Sequence, residues 1–396
     1  MKLIFIKIGK VFTTIRRDGI VVGGRRVINY LAIFIKTILS AGSGDVLIIT
    51  GGVGDSAHYR AYNVAEELNI HGIKTAVMLQ DNPFLARYAD KFNIFIFHRT
   101  ITTPVVKKLI KKIKEQKKEI IFETDDLVFD AKYIQNTDLY KNKMTVFEKM
   151  QYAKGVGEEI LKDPYVKIAT TTTTYLAQIL RSYEKKVFIV KNKISSHEFD
   201  IAEDILENRP KISDGFIKLG YFSGTHSHNK DFATITEALD ETLNKFPNVK
   251  LILAGPIDID EKLKKYESRI IHMPLVPREK YYNNLRQADI NLAPLVPGDH
   301  FCEAKSEIKF SGAGILAIPT VAVKNQTFSA AITDGVDGFL AATKEEWVEK
   351  ISRLITDENL RKSMGEKARE KVLADYTVKN SHDEEYYDFL RSRLNN

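Results

Sequence analysis

Short apolar runs alternate with helix-patterned segments along this chain, and after a polar break the same alternation starts again. In the first half the runs fall at 45–50, 74–79, 94–98, 119–123, 166–171 and 186–190. Helical patterns lie between them at 55–70, opened by the good N-caps Asp55 or Ser56, at 105–118 and at 139–161. Residues 208–214 are polar and hold Pro210, as a linker would. Beyond them come strand patterns at 217–222, 250–253, 270–273, 289–295 and 320–323, with helices at 232–246, 279–287, 347–356, 358–373 and 381–394. Buried runs alternating with helices form parallel sheets covered on both faces. A chain of 396 residues is too long for one ordinary core. The expectation is therefore an α/β protein with two Rossmann-like doubly wound domains, at 41–207 and 208–375. A segment at 1–40 precedes them and a helix at 376–396 follows.

The net charge of +7 belongs to one place. Residues 1–40 carry eight basic residues against Asp18 alone, and the rest of the chain holds 51 of each sign. Apolar residues at three- and four-residue spacing accompany those charges and read as a pair of basic amphipathic helices around 19–24. Such helices either lie on an anionic membrane surface or pack on the main body with their charges solvated. The single cysteine, Cys302, rules out an internal disulfide framework and a cysteine-cluster metal site, and suits a reducing compartment. Residues 3–9 are apolar but interrupted by Lys7, with no small-residue cleavage site after them, so no signal peptide is expected. No run reaches the roughly 20 uncharged apolar residues of a membrane span. The location expected is cytoplasmic, with peripheral attachment to the inner membrane face through 1–40, and no nucleic-acid partner.

The chemistry-bearing residues sit where strands end. Gly52-Val-Gly54-Asp-Ser-Ala57 matches the permissive dinucleotide pattern G-x-G-x-x-A, which keeps an NAD-dependent oxidoreductase open as a reading. Its acidic partner is displaced, since Asp81 lies 27 residues beyond Gly54 where about 20 is usual. Tyr59 and Arg60 follow in the first turns of the next helix, where Arg60 either binds an anion bidentately or is solvated. His98 and Arg99 end the third strand. Asp125 and Asp126 end the fourth, and adjacent residues there point oppositely, so one carboxylate faces a site and the other caps a helix. Asp126 is the expected site residue.

In the second half, Gly220-Tyr-Phe-Ser223-Gly224 leads through His226 and His228 to Lys230. Two histidines without a third ligand make a poor metal site. The stretch 301–319 is a charged turn running into a small, apolar helix. It brings Lys305, Ser306 and Lys309 to a helix start, which suits an anionic ligand.

These motifs resemble GT-B glycosyltransferases, in particular family 4 (glycosyltransferase group 1) of the bacterial surface-polysaccharide type. The resemblance covers about 45–395, with 301–319 as the donor-sugar signature and Lys305-Ser-Glu-Ile-Lys309 spelled as in that subgroup. It implies a retaining, metal-independent transferase with no cofactor, using a nucleotide sugar as substrate and a surface-glycan or lipid-linked acceptor. The second domain would bind the donor through Ser223, Gly224, Lys230, Gly255, Pro256, Lys305, Ser306, Lys309 and Ser311. The first would bind the acceptor through Gly52, Gly54, Tyr59, Arg60, His98, Arg99 and Asp125, its glycine turn lining the cleft. Asp126, Lys305 and Glu303 are the expected catalytic residues, and the terminal helix would cross back to the first domain. Two departures stand out. Tyr221 replaces a cation of the phosphate loop, and the family's paired glutamates, eight positions apart, fall on Ala304 and Gly312, with Glu303 one residue off as a stand-in for the first and Gly312 at the one that holds the nucleotide ribose. The second departure leaves room for a GT-B-shaped partner or sugar-binding subunit with impaired catalysis.

Overall fold

The computed structural model describes residues 42–394 apart from 136–139, 142–143, 145, 209–213 and 225–227, with isolated helical positions between Val11 and Ile35. The expected helix pair in 1–40 and the linker at 208–214 fall largely outside the described residues, and His226 does so entirely. The chain forms two compact units. One runs up to Lys191 and takes in the chain from Asp383 onward; the other is Asn192–His382. The division therefore comes earlier than 208, because the helix Ser196–Asn208 packs Ala202 and Ile205 into the second core.

In the first unit, β1 (Val46–Thr50), β2 (Thr75–Leu79), β3 (Ile94–His98), β4 (Glu119–Glu123), β5 (Ile168–Thr171) and β6 (Lys186–Ile189) form one parallel sheet in the order β2-β1-β3-β4-β5-β6. Buried apolar side chains on these strands each contribute about 1.5–3 kcal/mol. The register aligns Thr50, His98, Glu123 and Thr170 in one row across the carboxyl ends. The terminal helix Glu384–Leu394 closes this unit: Tyr387 stacks on His71 at 4.3 Å and donates its hydroxyl to the buried Glu67.

In the second unit, β7 (Ile217–Phe222), β8 (Val249–Ala254), β9 (Ile270–Met273), β10 (Ile290–Ala293), β11 (Thr320–Val323) and β12 (Phe339–Ala341) run parallel in the order β12-β11-β10-β7-β8-β9. That is the doubly wound Rossmann order, reversing between β7 and β10; in the first sheet the reversal lies between β1 and β3. Ligands of open α/β sheets bind outside the carboxyl ends of strands at such reversals.

Two expected helices are divided. Residues 139–161 hold Val146–Tyr152 and Glu158–Leu161. Between these, Gly155 and Gly157 take φ of 76° and 84°, and a Cβ on Gly155 would come 2.1 Å from the Phe129 carbonyl oxygen. The expected helix 232–246 is Asn229–Ala233 followed by Thr236–Lys245. The helix Gln326–Ala331 and the strand β12 were not anticipated.

Candidate functional site

Each sheet presents a polar cluster at its reversal. In the first unit, the helical run from Asp55 to Ile70 lies over the row of strand ends, and Ser56 and Arg60, four apart on one face, both reach it. Ser56 Oγ donates to Asp125 Oδ1 at 2.8 Å and lies 2.9 Å from His98 Nε2. A hydroxyl has one proton to give, so Nε2 carries the hydrogen and donates to Ser56. Thr50 Oγ1 lies 3.0 Å from the other nitrogen, Nδ1. His98 is 1% exposed and braces Ser56 from beneath, which corrects its expected role as an acceptor contact. Ser56 likewise is not the helix cap: Gly54 occupies that position, and the Ser56 hydroxyl serves the cluster.

Arg99 Nε binds Asp125 Oδ1 at 2.6 Å, and its Nη2 lies 3.5 Å from Asp126. Burial alone would raise the Asp125 carboxyl, but Arg99 and then His98 outweigh it and hold it well below the usual range. Asp126 Oδ1 accepts the Leu127 N–H as the cap of the turn Leu127–Phe129. Of the two carboxylates, Asp125 is thus the one inside the cluster, reversing the expected division. Arg99 adopts a left-handed backbone, φ 45°, and its carbonyl oxygen would sit 2.0 Å from a Cβ on Gly51. Gly51, not Gly52 or Gly54, is the glycine the packing demands, since neither of the latter has an atom within 4 Å of an added Cβ.

Arg60 is neither solvated nor turned to a ligand. It is 1% exposed, binds both Glu123 oxygens at 2.8 and 3.1 Å, and donates to the Val190 carbonyl at 2.7 Å. Thr170 donates its hydroxyl to Glu123 Oε2. Arg60 is a structural cation and not the expected acceptor contact. Tyr59 is half-buried, edge-on to His58.

In the second unit the cluster gathers around Asp231, which is 2% exposed. Lys305 Nζ binds Asp231 Oδ2 at 2.9 Å and lies 3.1 Å from His228 Nδ1. The other oxygen takes the Val296 N–H at 3.3 Å and the Cys302 thiol at 3.1 Å. Burial favours the protonated Asp231, yet His228 and Lys305 hold its carboxyl well below the usual range. Lys309 donates to the Phe222 carbonyl, and its ammonium sits 4.6 Å from the Tyr221 ring centre. Burial, then the neighbouring Lys305, lower Lys309 to about 8, so it is charged at neutral pH. Burial pushes the Cys302 thiol up to about 12, leaving it inert.

The remaining expected donor residues divide. Ser306 accepts from Asn192 Nδ2 at 2.9 Å. Gly255 takes φ +95° because a Cβ would lie 1.9 Å from the Ser223 carbonyl oxygen; Pro256 follows it at the end of β8. Gly224 and Lys230 are exposed. Glu303 is turned to its own loop, accepting the Gly298 N–H at 3.3 Å. Ser311 is 4% exposed, its hydroxyl directed at the Ile308 carbonyl of the same helix, so it is not a ribose contact. Among the described residues, no three His, Cys, Asp or Glu side chains group as a metal site. No helix among them is long and apolar enough to cross a membrane.

Comparison with known proteins agrees with this picture. Residues 207–371 match the family model described as glycosyl transferases group 1. A trehalose synthase of Pyrococcus horikoshii is 24% identical over 176 residues, covering 41% of this chain and 41% of that enzyme. The aligned part is thus about two fifths of that relative's length. Among solved structures, a glycosyltransferase from Rickettsia africae superposes with a TM-score of 0.60 at 14% identity, over 90% of this chain and all of that one. HepE of Anabaena, solved with UDP, gives 0.58 at 12% identity over 88% of this chain and all of that one, and has also been solved with UDP-glucose. Likeness at these identities establishes the fold, and the family match covers the unit that holds the lysine cluster. The chain has the two-sheet GT-B fold, and its second half matches the group 1 glycosyl transferase family model.

Proposed function

We propose that this chain is a retaining, metal-independent glycosyltransferase that moves a sugar from a nucleotide-sugar donor to a surface-glycan or lipid-linked acceptor at the cytoplasmic membrane face. The observation that carries the reading is the pair Lys305 and Lys309 at the β7/β10 reversal, where a single carboxylate, Asp231, accompanies two ammonium groups. The surplus charge suits a diphosphate. In transfer, the bond from the anomeric carbon to the diphosphate oxygen breaks as the acceptor oxygen bonds to that carbon, and the acceptor hydroxyl's proton passes to the departing diphosphate oxygen. Negative charge grows on the departing diphosphate, and ammonium groups fixed beside it lower the barrier. Lysines in that role offset part of the diphosphate charge without a metal ion. The first unit would hold the acceptor through Arg99, Asp125, Asp126 and Ser56, a cluster suited to sugar hydroxyls. Binding of UDP and UDP-glucose by the structural neighbour HepE supports a nucleotide-sugar donor.

A second reading rests on Gly312. A chain without the ribose-binding glutamate could retain the fold and a weakened donor site as a partner subunit. The oxidoreductase reading is the weaker one: Asp81 lies 27 residues beyond Gly54, where about 20 is usual, and its Oδ2 already accepts the Tyr30 hydroxyl at 2.7 Å. The experiment is a thermal-shift panel of nucleotides, nucleotide sugars and NADH, followed by mass detection of donor hydrolysis or transfer. Stabilisation by nucleotides with turnover is expected. Stabilisation without turnover selects the partner-subunit reading, and a response to NADH alone refutes both.

A further inference from the structure

His228, Asp231 and Lys305 stand within hydrogen-bond distance of one another, yet their donors and acceptors cannot all be matched. Lys305 Nζ is 2.9 Å from Asp231 Oδ2 and 3.1 Å from His228 Nδ1, while Nδ1 is 2.8 Å from the same Oδ2. An ammonium only donates and a carboxylate only accepts. With a hydrogen on Nδ1, the ring bonds Asp231 but meets Lys305 donor to donor. With Nδ1 bare, it accepts from Lys305 but meets Asp231 acceptor to acceptor. Either way one of the three contacts is unfavourable, and the strain ends only when one group leaves.

Asp231 is held in place. It is 2% exposed, and its second oxygen is tied to Val296 N and Cys302 Sγ. Lys305, with 30% of its side chain exposed, is the member able to move. We propose that a bound diphosphate draws Lys305 off Asp231, and that His228 then takes up a proton and remains on Asp231 as an imidazolium, a third cation beside Lys305 and Lys309. This rests on the donor reading above and goes beyond it by making donor binding proton-linked. The groups that face the imidazole are Asp231 from its own helix, Lys305 and Lys309 from the segments after β10, and Cys302 through Asp231. From β7, the Tyr221 hydroxyl donates to the His228 carbonyl at 3.2 Å. In the empty site, burial and the two lysines hold His228 below the usual histidine range against the pull of Asp231. A proton is therefore available to be gained. The imidazolium would also restore the cation lost where Tyr221 stands.

The liganded state binds the proton more tightly, so affinity falls as pH rises from the His228 pKa of the empty site to that of the complex. One linked proton gives at most about a tenfold loss per pH unit in that window. The test is calorimetry on the full chain with the tightest binder among UDP-, GDP- and ADP-glucose, whose diphosphate diester has no ionisation near neutral pH. Titration between about pH 6 and 7, in two buffers of different ionisation heat, reads the protons taken up. Lys309, titrating at about 8, contributes on the alkaline side of that window. Uptake in the native chain that disappears in His228→Gln is the expected result. Binding without uptake overturns the inference and leaves the donor reading intact, as does uptake that persists in His228→Gln. Should none of the three bind, the donor reading falls first and the inference with it. If His228→Gln fails to fold, His228→Asn takes its place, and binding without buffer dependence in the native chain still overturns the inference.

Discussion

The two units end their sheets in polar clusters at the same topological position, but the clusters are balanced in opposite ways. At the β1/β3 reversal, Arg99 stands against Asp125 and Asp126, and Thr50, His98 and Ser56 are bonded to one another in a closed network. At the β7/β10 reversal, Asp231 stands against Lys305 and Lys309. One cluster carries a small excess of negative charge and the other a small excess of positive charge. A common architecture thus carries two clusters of opposite balance, and the proposed function assigns the acceptor to the first and the anionic donor to the second.

The sharpest way to break that comparison is at Arg60. If it served the acceptor, its loss would reduce transfer and leave stability alone. The bidentate bond to Glu123 says the reverse: Arg60→Met strands a carboxylate that is 3% exposed, which typically costs about 3–5 kcal/mol of stability. Denaturant unfolding of the variant measures it, and an unchanged midpoint would return Arg60 to the acceptor list. Next in size is Lys305→Ala. Removing a fixed donor aimed at growing charge costs about 2.7–4 kcal/mol, on the order of 10²- to 10³-fold in turnover. Donor hydrolysis is the readout. Unaltered hydrolysis would mean that the surplus positive charge at the second reversal has no catalytic meaning.

Much of the architecture was legible because the strands are short, apolar and separated by strong punctuation. β3, β4, β7 and β9 coincide with their sequence patterns at both ends. The three residues of β12 are too few to carry a pattern. Glycines divide 139–161 for a tertiary reason, the approach of the Phe129 carbonyl, that periodicity does not encode. The sites were less legible. Lys305, Lys309 and Arg99 announced themselves as cations beside strand ends, but their partners did not. Asp231 lies 74 residues from Lys305, and Asp125 lies 69 from Ser56. Such pairings arise only when the sheet brings separate loops together. Arg60 misled for the same reason: a basic residue in a first helical turn reads as surface until its partner, 63 residues away, is known to lie beneath it.

Gly312 offers the smallest effect and tests how complete the donor cluster is. It lies buried in the helix Ile308–Gly314, and its backbone does not require glycine. A Cβ there would meet Tyr281 Oη at 3.6 Å, Tyr281 Cε1 at 3.7 Å and Leu285 Cδ2 at 3.8 Å, all ordinary contacts. The first carbon of a glutamate is therefore accommodated, and a glycine inside a helix is replaced at a gain of up to about 1 kcal/mol. A carboxylate regained against ribose hydroxyls adds about 1.5–3 kcal/mol. Gly312→Glu is expected to tighten UDP-glucose binding roughly 10- to 100-fold, measured by calorimetry. Unchanged affinity with intact folding would show that this chain recognises its nucleotide without the ribose carboxylate. Weaker affinity would place the Tyr281 phenol in the space the carboxylate needs, and the second reversal would then be specialised for the diphosphate with little demand on the sugar of the nucleoside.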